Sequence, residues 1–173
     1  MERLSGKRIG ILVEDLFEDL ELWYPTLRMR EEGAEVKLIG PAKKTYKGKH
    51  GLPAEADLTS AEANPEEFDA IIIPGGYSPD RMRRDAKLIE FVKKMGESGK
   101  VVAAICHGPW MLISAGLLKG KKATSFFAIK DDLINAGASY LDKEVVVDEN
   151  IITSRTPKDL PAFCKAIIEK LLQ

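Results

Sequence analysis

The chain has 173 residues, 26 Lys+Arg against 27 Asp+Glu, and 45% apolar residues, a length that suits one domain spanning residues 1–173 with a sizeable core. A net charge of −1 with 31% charged residues describes a soluble globular protein and excludes a strongly basic nucleic-acid binder or a disordered acidic tail. Two cysteines, Cys106 and Cys164, and two histidines, His50 and His107, are too few for a disulfide scaffold or a closed zinc site; they point to a reducing cytoplasm.

The apolar stretch Ile9 to Val13 is too short for a signal-peptide core. With Arg8 it reads as a buried β-branched strand. Leu20, Trp23, Tyr24 and Leu27 then recur at helical spacing, Pro25 predicts a kink, and Gly33 ends the helix. Glu35 to Ile39 is a second strand, and Lys44 to Asp57 reads as irregular or hairpin structure. Phe68 to Pro74 is a short apolar run closed by Gly75-Gly76, followed by helical spacing from Ala86 to Lys94. Val101 to Leu118 carries no charged residue, a length at the threshold of a membrane span. His107, Gly108 and Pro109 interrupt it, so strand, sharp turn and a helix through Trp110, Ile113 and Leu117 is the better parse. Ile129 to Ala136 is a short helix, Glu144 to Ser154 a hairpin, and Thr156-Pro157-Lys158-Asp159 the capped start of the last helix. Apolar strands alternating with helices predict an α/β sandwich whose mostly parallel sheet is covered on both faces. Ligands bind such sheets beyond the carboxyl ends of the strands.

Ala104-Ile105-Cys106-His107-Gly108 places a nucleophile between small residues at the end of a predicted strand, the pattern of a sharp strand-to-helix elbow. Such a turn brings the Cys106 sulfur to a helix N-terminus, where backbone N–H groups favour a thiolate and serve an oxyanion hole. Cys164 belongs to the apolar stripe Leu160, Phe163, Cys164, Ile167, Ile168 and reads as core. His107 is the nearest candidate base, and His50 lies in a Lys/Gly-rich loop where a solvated role is the ordinary one. Glu14, Asp15, Glu18 and Asp19 cluster after the first strand, either complementing a helix dipole or sending one carboxyl into the cleft. Periodicity does not choose among the four. Gly75-Gly76 is either a plain tight turn or a pair of backbone donors near a substrate oxygen.

These motifs resemble the PfpI family of intracellular cysteine proteases and deglycases, which shares the class I glutamine-amidotransferase-like fold. The resemblance runs nearly end to end through F-E-D-L-E-L-W-Y-P (17–25), G-K-H-G (48–51), N-P-E-E-F-D-A (64–70), I-P-G-G (73–76), A-I-C-H-G-P (104–109), I-K-D-D-L-I-N-A-G (129–137) and S-R-T-P-K-D-L (154–160). It implies a flavodoxin-like three-layer sandwich and a cofactor-free reaction needing no metal. Cys106 matches the family nucleophile, His107 the adjacent histidine, and Glu18 the glutamate that contacts the thiol. Gly75 and Gly76, with backbone at His107, match the oxyanion side. Asp80 fits the acidic residue that a neighbouring subunit supplies to orient the histidine, although Asp is one methylene shorter than the usual Glu.

The resemblance further implies self-association and action on small aldehydes, glycated adducts or peptides, by a deglycase, glyoxalase III-like or peptidase activity through Cys106. The alternative is a non-enzymatic redox sensor or stress chaperone in which Cys106 is oxidised. A glutaminase domain shares the elbow but needs a late His-x-Glu pair, and no histidine follows His107.

Overall fold

The computed structural model describes residues 2–173. Strand β1 (Arg8–Leu12) leads to helix α1 (Asp19–Glu31) and strand β2 (Glu35–Gly40). A small antiparallel hairpin of β3 (Thr45–Lys47) and β4 (Pro53–Glu55) precedes β5 (Leu58–Thr59). Next come β6 (Ala70–Ile73), α2 (Ser78–Met82), α3 (Ala86–Glu97), β7 (Val101–Ile105) and α4 (Pro109–Ser114). Then follow β8 (Lys122–Ala123), α5 (Lys130–Asn135), β9 (Ser139–Tyr140), the hairpin β10 (Val145–Asp148) and β11 (Ile151–Ser154), and α6 (Leu160–Leu171).

The main sheet runs β10-β11-β7-β6-β1-β2-β5 and is parallel except for the β10–β11 pair. Its order through the five strands β2, β1, β6, β7 and β11 is that of the flavodoxin-like fold. Successive side chains of a strand point to opposite faces, and here both faces are apolar. Ile9, Ile11, Ala70, Ile72, Ala103 and Ile105 pack towards α1 and α6, against Leu22, Met29, Phe163 and Ile167. Ile71, Ile73, Val102 and Ala104 pack towards α3 and α4, against Leu88, Val92, Met111 and Leu112. The charge-free run from Val101 is thus a central strand and a short helix, and among the described residues no helix is long and apolar enough to cross a membrane.

Two features depart from the sequence reading. The helix expected to pass through Leu117 stops at Ser114. In α1 the stripe Leu20, Tyr24, Leu27 faces outwards, while the buried face is Glu21, Leu22, Pro25, Thr26 and Met29. The chain leaves β1 and β6 towards opposite edges of the sheet, so a crevice opens beyond their carboxyl ends. An isolated bridge between Phe17 and Gly76 ties the two loops there, and the end of β7 lies alongside.

Candidate active site

Cys106 directly follows β7 with φ 63°, a region that side-chain-bearing residues rarely adopt. Such a conformation costs on the order of 1–3 kcal/mol, and backbone bonds on both sides hold it. The Cys106 N–H donates to the Ser154 carbonyl at 3.1 Å, and its carbonyl accepts from Phe126 N–H at 2.9 Å. The turn closes so tightly that a Cβ on Gly108 would lie 2.5 Å from the Ile73 carbonyl oxygen and 2.8 Å from that of Ile105. This is the steric reason for a small residue two places after the cysteine. The turn sets the sulfur before the backbone N–H groups of His107 and of Gly76 in the loop after β6, and both favour the thiolate. Burial, followed by the charge of Glu21, works the other way and pushes the Cys106 thiol up to about 12.

The carboxyl that meets this thiol is Glu21, and the assignment to Glu18 is corrected accordingly. Glu18 caps α1: its Oε2 accepts the Glu21 N–H at 3.1 Å, and its Oε1 lies 3.7 Å from His50 Nε2. One turn into the helix, Glu21 is fully buried. Its Oε1 accepts the Gly75 N–H at 2.9 Å. Its Oε2 has no conventional hydrogen-bond partner and faces the Cys106 side chain. Burial first, and then the charge of Glu18, pushes the Glu21 carboxyl up to about 8, so at neutral pH it holds a proton it can donate. The other acidic candidates build the loop. Glu14 accepts the Asp15 N–H at 2.7 Å, Asp15 accepts the Lys47 N–H at 2.9 Å, and Asp19 accepts the N–H groups of His50 and Leu52, both at 2.9 Å.

His107 Nδ1 lies 3.3 Å from Cys106 Sγ, so the turn does bring both side chains to one place. The imidazole stacks on Phe126 at 5.1 Å and meets Trp110 edge-on at 5.2 Å. Burial, then the charge of Lys49, lowers its pKa, while Asp132 opposes them. Asp132 in turn accepts the Trp110 indole N–H at 2.8 Å. A neutral imidazole beside a thiol is a competent proton acceptor.

Gly76, with φ 72°, keeps its N–H towards the sulfur, but the Gly75 N–H is consumed by Glu21 and is not a substrate donor. Gly75 is instead the space-giver: a Cβ there would lie 2.7 Å from Glu21 Oε1 and 2.8 Å from Cys106 Cβ. Asp80 sits on α2, exposed, with Arg84 donating to its Oδ2 at 2.6 Å, and it does not line the cavity of Cys106.

That cavity is about 510 Å³ and is lined by both histidines of the chain, Glu18, Glu21, Lys49, Gly76, Tyr77, Phe126 and Pro157 together with Cys106. The sequence reading missed Glu21 and Lys49 and left His50 to solvent. One signal for Glu21 was available, since the buried stripe Met29, Thr26, Pro25, Leu22 extrapolates back to it. Among the described residues no three His, Cys, Asp or Glu side chains are placed to hold a metal.

Comparison with known proteins agrees with this architecture. Residues 7–170 match the DJ-1/PfpI family. The chain is 49% identical over 164 residues to Deglycase PfpI of Pyrococcus furiosus, covering 95% of this chain and 99% of that protein. It is 46% identical over 169 residues to Protein/nucleic acid deglycase 2 of Escherichia coli, covering 96% and 98% respectively. The crystal structure of Drosophila melanogaster DJ-1beta superposes with a TM-score of 0.91 at 28% identity, covering 97% of this chain and 91% of that one. A flavodoxin-like sheet that presents a cysteine–histidine pair at its switch point, over a sequence matched along nearly its full length, has one reading: this chain belongs to the DJ-1/PfpI family.

Proposed function

We propose that this protein is a cysteine-dependent enzyme of the PfpI type that acts on reactive carbonyl or acyl groups through Cys106. One observation carries the reading: a strained Cys106 whose sulfur lies 3.3 Å from His107 Nδ1 and faces the N–H groups of Gly76 and His107. Both relatives described above are named deglycases, which fits the same chemistry.

With an α-oxoaldehyde, His107 takes the thiol proton and the sulfur forms a bond to the aldehyde carbon. The carbonyl π pair moves to oxygen, which is protonated to give a hemithioacetal. Protonated Glu21 and protonated His107 are the acids at hand. Transfer of hydrogen from the former aldehyde carbon to the neighbouring ketone carbon, through an enediol, oxidises the first carbon to a thioester and reduces the second to a carbinol. Water then cleaves the thioester, releasing the hydroxy acid and restoring the thiol. With an amide or ester the same attack expels the leaving group and forms an acyl-enzyme that water clears. The backbone N–H groups beside the sulfur lie where negative charge develops in either case.

The test is lactate formed from methylglyoxal, measured as product because the aldehyde is also lost to amines and thiols. Many lactate molecules per subunit are expected from the wild type and none above background from Cys106→Ala. A folded, reduced wild type that forms no lactate overturns the carbonyl reading and directs the search to peptide and ester substrates.

A further inference from the structure

The tip of the β3–β4 hairpin reaches over the cavity, and nothing in the proposed chemistry uses what it carries. Gly48 to Leu52 is held there by backbone contacts. The Asp19 carboxylate accepts the N–H groups of His50 and Leu52 at 2.9 Å, and the Lys49 N–H donates to the Phe17 carbonyl at 2.9 Å. A Cβ on Gly48 would overlap the Asp19 carboxylate. The loop therefore has a fixed course, and its Lys49 and His50 side chains line the cavity.

The charges around that lip do not balance. Glu18 is engaged by the start of α1 and by His50. Glu21 is buried and holds a proton at neutral pH. Asp19 is occupied by the loop backbone. Lys49 makes no ion pair with any described residue, yet its charge is felt by Cys106, Glu21 and His107 alike. A lone cation at the mouth of a part-apolar cavity attracts an anion and fixes its orientation.

We infer that Lys49 is a substrate-recognition residue and that the cavity takes carbonyl or acyl compounds bearing an anionic group, a carboxylate or phosphate, within a few bonds of the reacting carbon. The inference rests on the proposed chemistry at Cys106 and names its substrate class. The anion would sit against the Lys49 ammonium while the carbonyl carbon meets Cys106 Sγ. Phe126, Tyr77 and Pro157 supply the apolar walls between them.

Alkylation tests this without turnover. In a Cys164→Ala background, the rate of Cys106 modification is compared for iodoacetate and for neutral iodoacetamide at fixed pH. Any change in thiolate fraction alters both rates equally and cancels in their ratio, so the ratio reports attraction of the anion alone. Lys49→Gln is expected to lower the iodoacetate-to-iodoacetamide ratio by about tenfold, the size of one charge pair a few ångströms apart in a half-exposed site. Lys49→Arg should keep it near the wild-type value. Inorganic phosphate and pyruvate, each tested as a protecting ligand, distinguish the two anion types by which slows iodoacetamide more in the wild type than in Lys49→Gln. A ratio unchanged within about twofold in Lys49→Gln, a variant verified as folded by circular dichroism, overturns the inference. A Lys49-dependent ratio in a protein that forms no product from any carbonyl overturns the enzymatic reading and leaves an anion-binding cavity.

Discussion

Cys106 and Cys164 share a residue type, a buried setting and a thiol pushed up to about 12, with burial the leading cause in both. They differ in what surrounds the sulfur. Cys164 lies within α6 among Leu160, Phe163, Ile167 and Ile168, and the one charge that favours its thiolate is that of Arg28. Cys106 sits at a strained turn with two backbone N–H groups, an imidazole nitrogen at 3.3 Å and a carboxyl facing it. Burial is therefore common to an inert and a chemically equipped cysteine. What separates them is the set of directed groups that the turn, the loop after β6 and α1 bring to one sulfur only.

The largest effect expected from this contrast is in labelling. Native protein treated with iodoacetamide should be modified at Cys106 at least ~100-fold faster than at Cys164, by peptide mass mapping, because access and N–H donors act on one sulfur only. Equal labelling of both sites in the folded state would remove the distinction. A second way to break the comparison is to spoil the turn without touching the cysteine. Gly108→Ala inserts a Cβ 2.5 Å from a backbone oxygen, and should cost about 2–4 kcal/mol in urea unfolding, together with most of the Cys106 labelling advantage. Gly99→Ala is the control. Its Cβ meets nothing within 4 Å and only the φ of 78° opposes it, so about 1 kcal/mol is expected and no change at Cys106.

A third effect is spread over pH as a slope. Glu21 is raised from its ordinary 4.5 to about 8 in the fold, so between those values the native state keeps a proton that the unfolded chain has released. Its contribution is then complete below about pH 4.5, falls as pH rises, and levels off above about pH 8. A fully coupled site would lose about 1.4 kcal/mol per pH unit in that window. Glu21→Gln has no such proton, so its stability should be flatter over pH 5–8 by up to that slope, as read by urea midpoints at each pH. An identical slope in the two proteins would show that Glu21 is ionised throughout. Glu18→Leu should cost about 1 kcal/mol as a lost helix cap, and by removing a charge that helps raise Glu21 it should end the slope at a lower pH than in the wild type.

Legibility in the sequence followed the range of the interactions. The cysteine turn is local: Ala104, Cys106 and Gly108 lie within five residues, and their sizes alone imply the closure that the Gly108 contacts display. The strands that build the sheet centre were equally readable, since Ile9 to Leu12, Ala70 to Ile73 and Val101 to Ile105 are apolar on both faces. The carboxyl was harder. F-E-D-L-E offers two glutamates three residues apart on one helix face, and only the position of α1 against Gly75 decides which meets the sulfur. The outward stripe Leu20, Tyr24, Leu27 implies the wrong phase for α1, one in which Glu21 would not be buried. Lys49 and His50 were illegible for a different reason. Their placement depends on a hairpin held by Asp19, a contact spanning 31 residues to His50. The two-residue strands β5, β8 and β9 are too short to show any periodicity.

Asp19 holds the hairpin tip through main-chain atoms, so the Lys49 side chain takes no part in keeping the loop in place and that of His50 adds only its 3.7 Å approach to Glu18. Mutation can therefore sample new side chains at these two positions while the thiol, its imidazole and its amide donors stay where they are. The groups around the sulfur and the side chains at the lip belong to separate stretches of the chain, linked by the Lys49 charge that reaches Cys106 and His107. Where the lip selects the substrate, as inferred for Lys49, such a lineage has a short path to new ones, and a designer has two adjacent codons to randomise first.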